Sequence, residues 1–245
     1  MNEHTTPEPQ PAVQLYPLGD AAVVIEFGKS ISPATHERVQ AFCNRLEQQP
    51  FVGLVEYVPA FTTVTVYYDP WRLRQQAATP YDAVLQQLEQ LLRRTSIATE
   101  KPAPRVVEIP VCYGGAYGPD LDWLSKHLSL LPEQVIALHA APQYLVYMIG
   151  FAPGFPYLGG LDAQLTAPRK AQPRPLVPAG AVGIAGQQTG VYPLATPGGW
   201  QLIGRTPLRL FRPEAEVPSL LQAGDRVRFV PISAAEYQRL QQHEL

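Results

Sequence analysis

The first hundred residues alternate between strand-like and helix-like hydrophobic patterns. Residues 13–20 (VQLYPLGD) and 21–28 (AAVVIEFG) are short apolar runs, the second rich in β-branched residues, and the Gly-Asp turn signal between them predicts paired strands. Ser32 then precedes Pro33, a serine cap followed by proline in the first helical position. Apolar residues recur at helical spacing behind this cap, and Pro50 ends the predicted helix.

A second strand-and-helix pair follows. Val64, Val66 and Tyr68 alternate along the chain and predict a half-buried strand. A second helix is predicted from Thr79, where threonine again precedes proline and a stripe of valine and leucine follows. This order of elements predicts a small α/β sandwich domain over residues 13–98, with the helices on one face of a sheet.

The next part of the chain begins with a break. Residues 99–105 (TEKPAPR) are polar and proline-rich, which predicts a linker. A strand follows and is expected to break at Cys112–Gly115. Residues 120–130 and 132–139 then predict two short helices, the first capped by Asp120.

Glycine and proline dominate the segment from Gly150 to Pro207. They contribute 11 and 9 of its 58 residues, between short apolar runs. Interleaved aromatic residues argue against disorder, because disordered segments lack them. The pattern predicts a compact β-barrel of short strands over residues 106–232, and the whole chain is therefore predicted to be α+β.

The two ends differ from the rest. Residues 1–12 are polar and proline-rich and predict a disordered tail. They carry neither a basic start nor an apolar core, so we expect no signal peptide. Residues 233–245 predict a polar helical tail.

Composition narrows the class of protein. A formal net charge of −2 gives no basic footprint, so we expect no nucleic-acid partner. No apolar stretch approaches the ~20 residues of a membrane span, so we expect no membrane association. Two cysteines, Cys43 and Cys112, are too few for a disulfide framework and fit a reducing compartment. Together these features predict a soluble cytoplasmic protein.

The common catalytic signatures are incomplete. Gly28-Lys29-Ser30 resembles the end of a phosphate-binding loop, but Val23 occupies the position of its first glycine. The five histidines are scattered and the cysteines show no ligand spacing, so we expect no metal site or prosthetic group. A Gly-x-Ser-x-Gly motif is absent from the sequence, which argues against a common serine hydrolase.

An aromatic run, residues 147–158, is the first candidate for binding. Prolines fix its backbone, glycines allow close approach, and aromatic faces line the space. Phe151, Pro153 and Phe155 are its candidate substrate-binding residues. A buried loop that wraps one end of the barrel explains the same pattern equally well.

Two arginines behind prolines form the second candidate. Arg169 and Arg174 stand on stiff backbone, which suits them to clamp a carboxylate or phosphate. The alternative is solvated surface charge. Between Gly150 and Pro207 only Asp162 is acidic, and this scarcity of acidic partners favours a functional role.

Three polar residues complete the candidate set. Gln187 and Thr189 are suited to hydrogen-bond an amide or carboxylate, although turn polarity alone explains them as well. His139, just before the barrel's aromatic run, is a candidate acid or base near neutral pH. A structural histidine is the alternative.

Five of these runs together resemble one known family. YPLGDAAVVIEFG, IPVCYGG, GFAPGFPYLGGL, PRKAQPRPLVPAGAVGIAGQQTGVYP and TPGGWQLIGRTP resemble the family of the B-type subunit of 5-oxoprolinase, in order and in spacing. That family is also called allophanate hydrolase subunit 1, or the Kip-type inhibitors of a sporulation histidine kinase. The resemblance covers residues 13–232 and implies an N-terminal α/β domain and a cyclophilin-like β-barrel.

The resemblance also implies an activity. Members form part of an ATP-dependent enzyme that converts 5-oxo-L-proline, ATP and water to L-glutamate, ADP and phosphate. ATP is then a co-substrate of a complex, in which the C-type subunit is the direct partner and the A-type subunit is a further one.

The same resemblance implies roles for individual residues. Arg169, Arg174 and Arg205 match the family's arginine-bearing motifs and would bind phosphate or carboxylate. Gln187 and Thr189 would orient the lactam, and His139 would carry a proton. The chain departs from many relatives at two positions, where Ala181 and Thr196 stand in place of serine.

Three alternative functions remain. A regulatory protein of this family would bind and inhibit a sensor histidine kinase, with a protein segment in the GFAPGFPYLGGL groove. A prolyl isomerase is suggested by the barrel alone, which is a weak basis for activity. An allophanate-linked role is suggested by related barrels in urea amidolyases.

Overall fold

The computed structural model describes residues 12–94 and 104–243. The predicted N-terminal tail, apart from Ala12, and most of the predicted linker lie outside these residues. The chain divides into two compact units, Met1–Pro102 and Ala103–Leu245. Each unit is described by itself.

The first unit is a four-stranded antiparallel sheet packed with helices. Its strands are β1 (Gln14–Pro17), β2 (Ala22–Glu26), β3 (Leu54–Pro59) and β4 (Thr63–Tyr68). Its helices are α1 (Pro33–Gln48), α2 (Pro70–Leu73) and α3 (Pro80–Arg94). The strand order is β1-β2-β4-β3, which confirms the predicted pairing of the first two strands.

Caps fix the helices where the sequence predicts them. The Ser32 hydroxyl accepts a hydrogen bond from the Thr35 N–H at 3.1 Å, and Pro33 opens α1. At α3 the Thr79 hydroxyl accepts from the Asp82 N–H at 3.1 Å. The apolar stripes of both helices join the inner face of the sheet in one core, and Phe42 and Leu88 in that core are fully buried. Burial of these stripes, at about 25 cal/mol per Å², is what stabilises the unit.

The second unit is built around a closed seven-stranded barrel, which confirms the predicted fold class. The strands of this unit are β5 (Val106–Tyr113), β6 (Tyr144–Ile149), β7 (Pro156–Gly159), β8 (Arg174–Val177), β9 (Ala181–Ala185), β10 (Gln188–Val191), β11 (Thr196–Gly198), β12 (Gln201–Arg205) and β13 (Arg226–Pro231). The barrel order is β10-β7-β6-β13-β5-β12-β9, and β8 pairs separately with β11. Neighbouring barrel strands are antiparallel except β5 and β13, which are parallel.

In the described part of this unit, three α-helices accompany the barrel: α4 (Leu121–Leu128), α5 (Pro132–Ala140) and α6 (Ala234–His243). The break predicted at Cys112–Gly115 is confirmed, because β5 ends at Tyr113 and the chain turns at Gly114, where φ is 70°. The C-terminal helix carries one buried residue, Tyr237, whose ring lies 4.5 Å from that of Tyr117. Within the described residues, no helix is both long enough and apolar enough to cross a membrane.

Candidate functional site

Asp120 occupies the N-cap position of α4 but does not cap the helix. Its predicted position is therefore confirmed, but its side chain makes no capping hydrogen bond. One carboxylate oxygen instead accepts from Arg174 Nη2 at 2.7 Å and Lys170 Nζ at 3.2 Å, and the other accepts from the Leu202 N–H at 2.7 Å. Charged donors are the stronger partners for a carboxylate, which explains why it turns away from its own helix.

The same contacts determine the ionisation of Asp120. Burial by itself would raise its pKa, because the charged form loses hydration. Hydrogen bonds from Arg174, Leu202 and Lys170 outweigh that effect and hold the pKa of Asp120 below its usual range. The argument that this part of the chain lacks acidic partners is therefore wrong, because Asp120 reaches it from outside the glycine-rich segment.

Residues 168–174, here called the arginine segment, are fixed at three points. Gln201 Nε2 donates to the Pro168 carbonyl at 2.9 Å, and the Lys170 N–H donates to the Gly199 carbonyl at 2.7 Å. Arg174 is held by Asp120. The segment is thus preorganised by prolines and by hydrogen bonds before any ligand arrives.

Arg169 lies between two of these fixed points and is exposed. Among the described residues it has no hydrogen-bond or ion-pair partner. Arg169 acts electrostatically on Tyr192. Burial raises the pKa of the Tyr192 phenol, while the positive charges of Arg169 and Arg174 lower it. The side chain of Arg169 is therefore free to meet an anion beside a buried phenol that stays neutral.

An aromatic cluster of Phe155, Tyr157, Tyr192 and Trp200 supports this side of the unit. The ring of Phe155 lies 5.6 Å from that of Tyr192 and 5.8 Å from that of Trp200, both edge to face. Phe155 is 2% exposed, so it forms a wall inside the protein and does not present an open face to a substrate. The predicted buried loop at the end of the barrel describes this residue better than direct binding does.

Phe151 behaves differently from Phe155. Its φ is 67°, which is strained for a bulky residue, and the Ala152 N–H donates to the Gly150 carbonyl at 2.8 Å across it. The ring is 67% exposed and lies 5.4 Å from the ring of Phe155. Pro153, two residues further along the chain, is also exposed. Both residues are accessible to a ligand or partner, and their role in substrate binding stays a prediction.

Thr189 and His139 lie inside the barrel and not at an open site. Both are fully buried, and His139 Nε2 lies 2.8 Å from the Thr189 hydroxyl. The hydroxyl donates to the Gly183 carbonyl, so it accepts from Nε2–H, while Nδ1 accepts from the Tyr113 hydroxyl at 2.8 Å. Burial lowers the pKa of His139 to about 3, so the ring is neutral at physiological pH. This environment matches the structural alternative for His139.

Gln187 and Arg205 stand apart from the arginine segment. Gln187 is exposed at the turn between β9 and β10. Arg205 donates from Nε to the Ala179 carbonyl at 2.8 Å. Its positive charge also lowers the pKa of the Tyr237 phenol of α6, which burial raises. The structure therefore brings together Arg169, Lys170 and Arg174, and does not bring Arg205 to the Asp120 carboxylate.

This arrangement can bind an anion. Two cations share one buried carboxylate and a third is unpaired, so the site keeps net positive charge and spare N–H donors. Among the described residues no group of His, Cys, Asp and Glu is placed to hold a metal ion. Sequence reasoning missed Asp120 and Tyr192 as members of the site. Tyr192 carried a weak signal, since it lies three residues after Thr189.

Comparisons with known proteins agree on the family. The model of the carboxyltransferase domain, subdomain C and D, matches residues 13–221. A protein named as the B-type subunit of 5-oxoprolinase, from Bacillus subtilis (strain 168), is 51% identical over 91% of this chain and 95% of its own length. One of the same name from Escherichia coli O157:H7 is 49% identical over 88% of this chain and 94% of its own length.

A solved structure supports the same assignment. The crystal structure of TTHA0988 has a TM-score of 0.74 and 40% identity over 87% of this chain. The match covers 40% of that longer polypeptide. Family model, relatives and structure thus coincide over most of the chain. It belongs to the carboxyltransferase domain, subdomain C and D, family, and within it to the B-type subunits of 5-oxoprolinase.

Proposed function

We propose that this chain is the B-type subunit of an ATP-dependent 5-oxoprolinase. With the A-type and C-type subunits it would convert 5-oxo-L-proline, ATP and water to L-glutamate, ADP and phosphate. The observation that carries the proposal is the name shared by two relatives at 51% and 49% identity, each matched over most of both chains. The cationic arginine segment supports it, because both substrates are anions.

The chemistry explains why such an enzyme needs fixed cations. A lactam carbonyl is a poor electrophile. Transfer of the γ-phosphoryl group of ATP to the lactam oxygen breaks the bond to ADP and leaves an activated phosphorylated imidate. Water adds to the ring carbon and the C–N bond opens, which leaves an acyl phosphate. A second water then hydrolyses this acyl phosphate to the carboxylate and free phosphate. Charge develops on phosphoryl oxygens throughout, and preorganised N–H donors stabilise it.

Within this chain, Arg169 and Arg174 are the proposed anion-binding residues. Arg169 is the free cation, and Arg174 is oriented by Asp120 and by its Nη1 contact with the Trp200 carbonyl at 3.4 Å. Lys170 offers N–H groups beyond the one that Asp120 accepts. His139 receives no proton-carrying role, because its two ring nitrogens are occupied inside the barrel.

A further polypeptide would complete the site. Arg169, Phe151 and Pro153 are all exposed, and catalysis of phosphoryl transfer needs an enclosed site that limits water. In TTHA0988 the matching region is part of a longer polypeptide, which supports a function beside further protein. We propose the C-type subunit of 5-oxoprolinase as the direct partner.

The decisive experiment measures ATP-dependent glutamate release from 5-oxoproline by the purified A-type and C-type subunits, with and without this chain. Activity that requires the chain supports the proposal. Arg169→Ala should then lower kcat/KM about tenfold or more, as loss of one charged transition-state donor does. The matched control is Arg93→Ala, which removes an exposed arginine of α3 paired with Glu89.

The opposite outcome is equally clear. Absence of activity, together with failure of the C-type subunit to co-purify, would contradict the proposal. Binding to a histidine-kinase dimerisation domain would then be measured, because inhibition of a sensor kinase is the alternative that the sequence suggests.

A further inference from the structure

The first unit contains a cavity of about 340 Å³ that the proposed function does not use. It lies where the β1–β2 turn, the end of β4 and the starts of α2 and α3 meet. Pro17, Asp20, Tyr68, Pro70, Pro80 and Tyr81 are among its lining residues. Its volume is at the lower end of the range of small-ligand sites, which suits a single small group.

Three polar side chains that line this cavity, within the described residues, make no hydrogen bond. Tyr68 is 3% exposed, yet within the described part of the chain its hydroxyl has no hydrogen bond. The same holds for the Asp20 carboxylate and the Tyr81 hydroxyl. The Tyr68 hydroxyl is not among the buried polar atoms left without a partner, so it opens into the cavity, where a donor on a ligand can reach it.

The charge of the cavity favours a cation. Burial, followed by the neighbouring Asp20, raises the pKa of Tyr68, so the phenol stays neutral and Asp20 is the charged lining group. The N-terminus of α3 also borders the cavity. Its positive end is offset, because the Thr79 hydroxyl accepts from the Asp82 N–H and Asp82 adds a carboxylate in the first turn.

The walls add a second requirement. Three prolines and two tyrosine rings give an apolar lining that would cover a short hydrocarbon stem, and tyrosine faces attract cations. Gly19, with φ of 63°, makes the turn that places Asp20 at the edge, and the Tyr68 N–H donates to the Ala21 carbonyl at 2.9 Å. The lining is therefore held in place by backbone contacts.

We propose that this cavity binds a cation on an apolar stem: an alkylammonium or guanidinium group, such as the end of a lysine or arginine side chain or of a free diamine. Its N–H groups donate to the Asp20 carboxylate and to the oxygens of Tyr68 and Tyr81. The stem lies against the prolines.

The test is a titration of the ¹⁵N-labelled full chain followed by NMR. The probes are Nα-acetyl-lysine methylamide, cadaverine and the neutral Nα-acetyl-norleucine methylamide. Saturable shifts of the Gly19, Asp20 and Tyr81 amides are expected with the two amines and not with the norleucine compound. Tighter binding of the lysine derivative would indicate a protein side chain as the natural ligand, and tighter binding of cadaverine a free amine.

Variants locate the site. Asp20→Asn should weaken binding about fivefold, the upper end of what one exposed ion pair contributes. Glu56→Gln, which removes another exposed carboxylate of the same sheet, should leave binding unchanged. Tyr68→Phe keeps the packed ring and removes only the unpaired hydroxyl, so it carries the test if Asp20→Asn proves unstable. The proposal would be overturned if the norleucine compound bound as tightly as the amines. It would also be overturned if Asp20→Asn and Tyr68→Phe both bound the amines as tightly as the wild-type chain.

Discussion

Asp120 is the residue on which the geometry of the arginine segment depends. Asp120→Asn keeps an acceptor for the Leu202 N–H but leaves Lys170 and Arg174 without their countercharge. We expect the free energy of unfolding to fall by about 2 kcal/mol at pH 7, since a nearly buried charged contact is lost. Urea unfolding measures this. Asp122→Asn, an exposed change on the same helix, should cost less than about 0.5 kcal/mol.

The pH dependence of that difference tests the mechanism. The pKa of Asp120 is lowered in the folded protein, so its contribution is present above the unfolded-state pKa of about 3.9 and is lost as the pH falls below it. The gap between the wild-type chain and Asp120→Asn should therefore narrow below about pH 4. A gap of constant size from pH 7 to pH 3 would show that packing, not charge, is responsible.

Burial of His139 predicts a second loss of stability in acid, at higher pH than that of Asp120. Its pKa falls to about 3 in the fold, whereas the unfolded chain takes up the proton near 6.5. Stability is therefore complete above pH 6.5 and declines below it, by about 3 kcal/mol at pH 4. His139→Gln should remove this slope, although it lowers stability at pH 7. Urea unfolding of both proteins between pH 7 and 4 measures the two slopes, and equal slopes would contradict the assignment.

At the scale of elements, β11 depends on a glycine, Gly198, because a side chain at that position would meet Tyr192. A Cβ at Gly198 would lie 2.5 Å from the Tyr192 hydroxyl, whereas at Gly199 the nearest atom would be 3.6 Å away. Gly198→Ala should destabilise the second unit by about 1–3 kcal/mol by forcing the phenol to move. Gly199→Ala, the matched control, should have little effect. Thermal unfolding compares them, and equal losses would indicate a general cost of replacing glycine.

Local signals predicted some elements well and left others out. Ser32 with Pro33 and Thr79 with Pro80 located α1 and α3, because these caps act on neighbours three residues away. At Asp120 the position was predicted but the side-chain contacts were not, because its partners Lys170 and Arg174 lie 50 and 54 residues along the chain. No periodicity within α4 reports such a contact. For the same reason, the occupied ring nitrogens of His139 gave no signal in the sequence.

At the scale of the whole molecule, each unit has its own core. The buried cluster around Phe42 and Leu88 belongs to the first unit, and the cluster around Tyr144 and Phe229 belongs to the second. Residues 1–102 and 103–245, expressed separately, should therefore each unfold cooperatively in urea. A fragment with helical circular dichroism but no cooperative transition would contradict this.

The fold class and family were easier to predict from the sequence than the orientation of individual site residues. The fold class and the family were predicted from long runs such as GFAPGFPYLGGL, in which many residues act together. For the candidate site, Arg169 and Phe151 are exposed and their binding roles stay predictions, while Thr189 is buried inside the barrel. Sequence patterns indicate which residues are unusual, but the direction of each side chain depends on strand register.

The parallel pairing of β5 with β13 determines when the barrel can fold. β5 is the first and β13 the last barrel strand along the chain. The ion pair between Arg105 and Asp225, next to these strands, joins residues 120 positions apart. During synthesis on the ribosome, the first unit can fold from its hairpins and helices before β13 has been made, whereas the barrel cannot close until then. Such high contact order slows folding, and a chain cut short before Arg226 would expose the unpaired edges of β5 and β6 to aggregation.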